Sequence, residues 1–401
     1  MAAGGLLRAR LLSGAFRSGP CRRRNEEPYA RDKGKMPIER DRIIIGLTGP
    51  LGSGATLISK YLAKRHGFHA YSLSDIVRRE AAEPWLHALQ ETGNRLRKER
   101  GAAFLAIETI RQIEQDNPAG PIVVDSIRNP AEVQDFRKFS NFYLLSVVSP
   151  QEIRWQRIRR KAEGDEGYPK AREEFERIER KDRKDDEEHG QQVSICVDMS
   201  DFAVSNKENY PEIRAFRTNP LFERVDRYIN LINHPGETEP TWDEVFMSQA
   251  YSMSYKSTCL RRRTGAVIVN RHNQIVASGY NRSPEGLKSC KERGGCYRRE
   301  MGYASGEGLD ACRAIHAEQD ALLQLPGRRT IGPDGGTLYC TTFPCLGCAK
   351  GIISSGIRKI VFLESYPDAA SRAMLDEAGI TVEEFEGVKI QAFHKLFRRW
   401  D

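Results

Sequence analysis

Two short stretches constrain this chain more than any other feature: His316-Ala317-Glu318 and, 26 residues after that Glu begins its run, Pro344-Cys345-Leu346-Gly347-Cys348. One imidazole and two thiolates supply three tight ligands to a tetrahedral divalent metal. They leave the fourth position to water, as a catalytic site requires and a closed structural site does not. A fold that uses them must therefore carry two separate segments to one point. Cys345 and Cys348 open a helix predicted over Cys345–Ser355, share one face of it, and sit where its N-terminus favours thiolates. Two thiolates and a divalent ion then sum to neutral. Such a metal draws the pKa of its water toward neutrality. Glu318, just past the imidazole, is placed to move that water's protons without binding the metal. The competing reading is a small zinc knuckle with His316 as a helix cap, which wants a fourth tight ligand and has no use for the Glu.

His-x-Glu with Pro-Cys-x-x-Cys is the signature of zinc-dependent nucleobase deaminases. From Cys259 through Leu363 the chain resembles the deoxycytidylate deaminase family, through Thr264-Gly265-Ala266-Val267-Ile268-Val269, Ser278-Gly279-Tyr280-Asn281, Cys312 leading into His316, and Thr341 to Cys348. The resemblance implies zinc on His316, Cys345 and Cys348, Glu318 as catalytic proton shuttle, and Asn281 as a contact to the substrate sugar. The implied substrate is a free cytosine deoxynucleotide, dCTP or dCMP, hydrolysed at C4 to the uracil nucleotide and ammonia. Asp320 departs from the Asn usual in this family and touches a hydrogen bond behind the metal ligands. Arg261, Arg262 and Arg263 are candidates to clamp substrate phosphates, or form a solvated helix end. Cys290, Cys296 and Cys312, with or without Cys259, are candidates for a second, structural zinc. Their C-x5-C and C-x15-C spacings are uncommon for one.

Upstream, Arg42–Thr48 reads as a strand running into a Gly-rich turn, and Ala55–Arg65 as the helix behind it. Gly49-Pro50-Leu51-Gly52-Ser53-Gly54-Ala55-Thr56 meets the phosphate-cradling P-loop template at every fixed position except Ala55, which replaces the Lys. Gly49, Gly52, Ser53, Gly54 and Thr56 are therefore candidates to hold a nucleotide phosphate on backbone amides and a helix N-terminus. The cation that supports phosphoryl transfer is missing. Apolar runs at Pro121–Asp125 and Phe142–Val148, with Asp201–Ser205 as one more strand, predict a parallel sheet with crossover helices. Residues 159–190, dense in both charges, predict a solvated helical hairpin or a lid. With the Asp125-Ser126-Ile127-Arg128 strand end and an Arg-rich helix over Arg154–Arg160, this half resembles nucleoside monophosphate kinases.

The expected organisation is α/β throughout: a disordered basic leader over 1–40, a P-loop kinase-like parallel-sheet domain over 41–233, and a cytidine-deaminase-like α/β/α three-layer domain over 237–401. Within the last, Thr241 and Glu244 predict a capping box. Gly265–Asn270 and Gln274–Tyr280 predict a hairpin, and Cys312–Leu325 predicts a helix. Residues 1–40 hold ten Lys and Arg against four acids, so six of the eight net positive charges lie there. The remaining body is too close to neutral for a polynucleotide-tracking face. That weighs against the alternative of a tRNA or single-stranded DNA deaminase. A third reading is a nucleotide or RNA sensor with a dormant deaminase site. The leader formally resembles an organelle transit peptide, or precedes a true start at Met36. Seven of the nine cysteines fall in the second half, a metal-binding thiol set suited to a reducing, cytoplasmic setting. No apolar run approaches membrane-spanning length. The order of the two domains is similar to that of bacterial antiviral cytosine deaminases. This implies anti-phage nucleotide depletion, a nucleotide effector at the P-loop-like site, restraint by a small inhibitory RNA, and homo-oligomers.

Overall fold

A computed structural model of the chain describes residues 42–182, 189–207, 219–237, 239–303, 307–325, 333, 335–364 and 368–397. The leader expected over 1–40 lies outside the described residues. Five parallel strands, β1 (Ile44–Thr48), β2 (His69–Ser72), β3 (Ile122–Asp125), β4 (Phe142–Val148) and β5 (Phe202–Ser205), form the first sheet in the order β5-β4-β1-β3-β2. Strands β1, β3 and β4 are buried along their whole length, as β-branched runs in a sheet covered on both faces must be. The Gly49–Thr56 loop leaves the carboxyl end of the middle strand, where open α/β sheets bind ligands. Residues 159–190 take the hairpin form over their described part. Helices Gln151–Ala162 and Arg172–Asp182 bring Ile158, Phe175 and Ile178 together under Leu51 of that loop.

The second sheet holds β6 (Gly265–Val269), β7 (Ile275–Tyr280), β8 (Thr337–Thr342), β9 (Lys359–Glu364) and β10 (Thr381–Glu384), in the order β10-β9-β8-β6-β7. Strand β6 runs antiparallel to β7 and β8, while β8, β9 and β10 are parallel. Helices Ala317–Leu323 and Leu346–Ser355 share a core with Ile268, Leu338 and Ile360 on one face. Helix Trp242–Ser254 covers the other, giving three layers. Its start is the capping box read from the sequence: Glu244 N donates to Thr241 Oγ1 at 3.2 Å, and Thr241 N to the Glu244 carboxylate at 2.7 Å.

Two expectations are corrected. The helix expected over Cys312–Leu325 begins only at Ala317, because Ile315 is held extended by paired backbone bonds with Arg282, at 2.8 and 3.2 Å. The second concerns the C-terminus, which the sequence reading leaves wholly in the second domain. Instead β11 (Gly387–Val388) pairs antiparallel with β5 at the edge of the first sheet, and helix Ile390–Phe397 lays Ala392 and Leu396 into the first core. The two halves are also joined through buried side chains. Val193, Val197 and Ala203 of the first pack with Phe246, Ala250, Tyr251 and Phe385 of the second. Among the described residues no helix is long and apolar enough to cross a membrane.

Candidate metal and catalytic site

Both segments of the signature end a stretch of extended backbone and begin a helix. His316 is the residue before helix Ala317–Leu323, and Cys345 the residue before helix Leu346–Ser355. The two helices lie side by side on the sheet, so their N-termini carry the ligand side chains to one place. Gly279 of β7 makes this approach possible, since a Cβ there would lie 2.4 Å from both Ala317 O and Ala321 N. The Pro-Cys turn is held from behind by residues with no local sequence signal. Leu346 N donates to Asp368 Oδ2 at 2.9 Å, and Ser371 Oγ donates to Pro344 O at 2.8 Å.

His316 Nδ1 stands 3.3 Å from Cys345 Sγ and 3.5 Å from Cys348 Sγ, and the two sulfurs are 3.6 Å apart. Among the described residues this is the group of three such side chains that could hold a metal, its ligand atoms all within 4.8 Å of one another. Hydrogen bonding with Cys312 and then Cys345 pushes His316 up to about 10. The Cys345 thiol falls to about 4 through its hydrogen bond with Cys348, against the penalty of burial and with further help from His316. Hydrogen bonding to Cys345 and burial hold Cys348 above an ordinary thiol. A thiolate beside an imidazole and a second thiol, at two helix N-termini, is the donor set that zinc takes. Glu318, 7% exposed, is raised above an ordinary carboxylate chiefly by burial.

Asp320 is fully buried. It accepts from Arg282 Nε at 2.7 Å and from Tyr280 N at 3.2 Å, so the carboxylate that departs from the family pattern has its charge matched by Arg282. The pair ties the helix carrying Glu318 to the end of β7 that carries Asn281. Sequence reasoning missed it because the partners lie 38 residues apart. The Asn281 side chain is engaged on the neighbouring loop: Oδ1 accepts from Thr264 N and Nδ2 donates to Arg262 O, each at 2.8 Å. Of the three candidate phosphate clamps, Arg261 donates to Tyr303 O, Arg262 lies between Asp198 and Glu364, and Arg263 is exposed.

Cys290, Cys296 and Cys312 are not gathered at metal-ligand spacing among the described residues. Cys290 and Cys296 are buried free thiols. Cys290 is raised by burial first and by the charges of Cys259, Cys296 and Cys312 next. Burial is the largest influence on Cys312 and opposes its ionisation, but hydrogen bonds with His316 and the Ala314 backbone and the charges of His316 and Arg298 together outweigh it and lower the thiol, drawing this residue toward the first site.

In the first half, Gly49, Gly52, Ser53, Gly54 and Thr56 all line a cavity of about 510 Å³. Thr56 Oγ1 donates to Asp125 Oδ2 at 2.7 Å. The loop's carbonyls are strapped down: Asn206 Nδ2 and Arg157 Nη1 donate to Ser53 O at 2.8 and 3.1 Å, and Arg157 Nη1 also reaches Gly52 O at 3.0 Å.

Residues 240–364 match the family described as the cytidine and deoxycytidylate deaminase zinc-binding region, and residues 45–187 match an AAA domain. A deoxycytidylate deaminase of Schizosaccharomyces pombe is 29% identical over 85% of this chain and 97% of its own length. A crystal structure of the dCMP deaminase of cyanophage S-TIM5 in complex with dCMP and dUMP is 28% identical, covering 37% of this chain and all of that one, with a TM-score of 0.30. The deoxycytidylate deaminase of Mycobacterium phage D29 is 36% identical over 31% of this chain and 96% of its own. A zinc-binding deaminase region behind an AAA-type domain, with a phage enzyme matched almost end to end, makes this chain an enzyme that belongs to the deoxycytidylate deaminase family.

Proposed function

We propose that this enzyme hydrolyses the C4 amino group of free dCMP, giving dUMP and ammonia, and that it accepts dCTP in the same site. One observation carries the reading: His316, Cys345 and Cys348 close on one point with the buried Glu318 carboxylate beside them. When zinc is bound there, it supplies the Lewis acidity that makes a water nucleophilic near neutral pH. Glu318 takes one proton from the attacking water and delivers it to ring N3, then takes the second from the new C4 hydroxyl and passes it to the amine, so that the C4–N bond breaks, C4 becomes a carbonyl and ammonia leaves. Burial suits it to this work, because a carboxylate raised toward neutrality both accepts and returns protons readily. Asn281 contacts the sugar, and Arg263, exposed and next to the Thr264 whose N donates to Asn281 Oδ1, is available to the phosphate.

We extend the proposal to the front domain as a nucleotide-binding regulatory module. The Thr56–Asp125 pair and the P-loop backbone are kept, while Ala55 withholds the cation of phosphoryl transfer. Depletion of the cytosine deoxynucleotide pool, including antiviral depletion, follows from the same reaction. The test is to incubate the purified protein separately with dCMP, dCTP and a cytosine-containing oligonucleotide and to measure uracil product and ammonia. Product from free nucleotides supports the reading; product from the oligonucleotide alone overturns it in favour of a polynucleotide editor.

A further inference from the structure

Asp198 belongs to the front domain's helix Val193–Met199, yet its carboxylate faces the deaminase domain. It accepts from the Tyr251 hydroxyl at 3.3 Å, and its other oxygen lies 3.6 Å from Arg262 Nη2. The same guanidinium contacts Glu364 at the end of β9, so one cation is shared between a carboxylate from each domain. The backbone at Arg262 holds Asn281: its carbonyl accepts from Asn281 Nδ2, while Thr264 N donates to Asn281 Oδ1. The orientation of Asn281 is thus set by the backbone of residues 262–264, and that backbone is moored by the Arg262 side chain.

The start of the helix is fixed elsewhere. Gln192 N donates to Arg128 O at 2.8 Å, and Arg128 Nη1 donates to Gln191 Oε1 at 3.0 Å. Arg128 lines the cavity formed by the P-loop. A seven-residue helix therefore has one end on the wall of the front cavity and the other on the loop that orients Asn281.

We propose that Asp198 is a positioning residue for deamination: through Arg262 it sets the orientation of Asn281 toward the substrate sugar, so that the front domain governs substrate affinity in the second. The proposal rests on the reading of Asn281 as a sugar contact. Contiguous ion pairs and hydrogen bonds of this kind carry coupling only when both ends bias the same element, and here that element is the 262–264 loop.

The experiment compares wild type with Asp198→Asn, which keeps a hydrogen-bonding partner for Tyr251 and removes the charge, and with Asp198→Glu, Arg262→Ala and the Asp198→Asn/Arg262→Ala double variant. For dCMP, Asp198→Asn is expected to raise KM about tenfold, within the range of network coupling, with kcat and bound zinc unchanged. Asp198→Glu should restore most of the affinity, and the double variant should be no worse than Arg262→Ala alone. An unchanged KM in Asp198→Asn, or additive losses in the double variant, would overturn the proposal. Amide hydrogen exchange over residues 258–264 needs no turnover. It should quicken in Asp198→Asn, and identical exchange in the two proteins counts against the role of Asp198. A wild type inactive on dCMP would remove the substrate reading while the exchange result still decides the positioning role.

Discussion

Glu318 joins two demands that usually conflict, since it must be buried beside the metal ligands and must still exchange protons with water and substrate. Burial raises its carboxylate above the ordinary Glu range, against the pull of the His316 charge and a hydrogen bond with Cys348, whereas Asp320 two positions away is held by Arg282 and Tyr280 N. Glu318→Gln keeps the size and removes the proton carrier. We expect ammonia release to fall by at least about a hundredfold, the usual scale of a lost general acid–base, with zinc content near wild type by metal analysis. The wild-type rate should fall on the acid side as Glu318 takes up a proton, at a pH above that of an ordinary glutamate. Zinc lost together with activity would mean the carboxylate is a ligand rather than a shuttle. These residues were legible in the sequence because each motif is local and its chemistry is rare. Arg282 with Asp320, and Asp368 with Ser371, were not, because single polar residues acquire a role only when distant strands and helices bring them together.

At the scale of elements, the parallel core strands and both ligand-bearing segments were readable from apolar runs and caps. The strands that escaped were β2, β10 and β11. Strand β2 reads His-Ala-Tyr-Ser with no buried residue, and β11 has only two residues, so neither carries a periodic signal. Edges are where a sheet tolerates polar sequence, so a reading built on hydrophobic pattern finds the middle first. Two glycines mark elements that pack too closely for a side chain. Gly279→Ala should push helix Ala317–Leu323 off β7, costing about 1–3 kcal/mol as overpacking does and a larger share of activity than of stability. Thermal unfolding and dCMP turnover measured together would check this, and unchanged turnover would show that the helix position is not critical. Gly54, at φ 100°, precedes helix Ala55–His66, and a Cβ there would lie 2.4 Å from Asn206 Nδ2. Gly54→Ala should abolish binding of magnesium ATP, used as a probe in calorimetry, and leave zinc content unchanged. Equal ATP binding by variant and wild type would mean the loop is not the phosphate site.

For the whole molecule, the return of the C-terminus to the first sheet makes the two halves one folding unit rather than two beads. Glu244 shows the consequence. The carboxylate that completes the capping box also accepts from both Nη atoms of Arg227, at 2.9 and 3.1 Å, and from Val388 N at 2.9 Å, so one fully buried side chain ties together both domains and the returning strand. No sequence rule shows that such a cap is also a domain clasp. Lys389, one residue beyond β11, is fully buried in the same seam. Its Nζ donates to Val197 O at 2.6 Å and Asp198 O at 3.1 Å and lies 4.7 Å from the centre of the Tyr251 ring. Burial brings it down to about 7 from an ordinary 10.5, against the pull of Asp198 and Asp201. Between those two values the unfolded chain holds a proton that the folded protein has released, so folding becomes more favourable as pH rises through this window. Below about 7 both states are protonated and the cost is constant. Raising the pH from 7 to 9 should therefore stabilise the wild type relative to Lys389→Met, by on the order of 2 kcal/mol. Denaturant unfolding of the two proteins at several pH values reads this directly. Parallel stability curves would mean that Lys389 stays charged in the seam, its ammonium held by the two carbonyls and the ring.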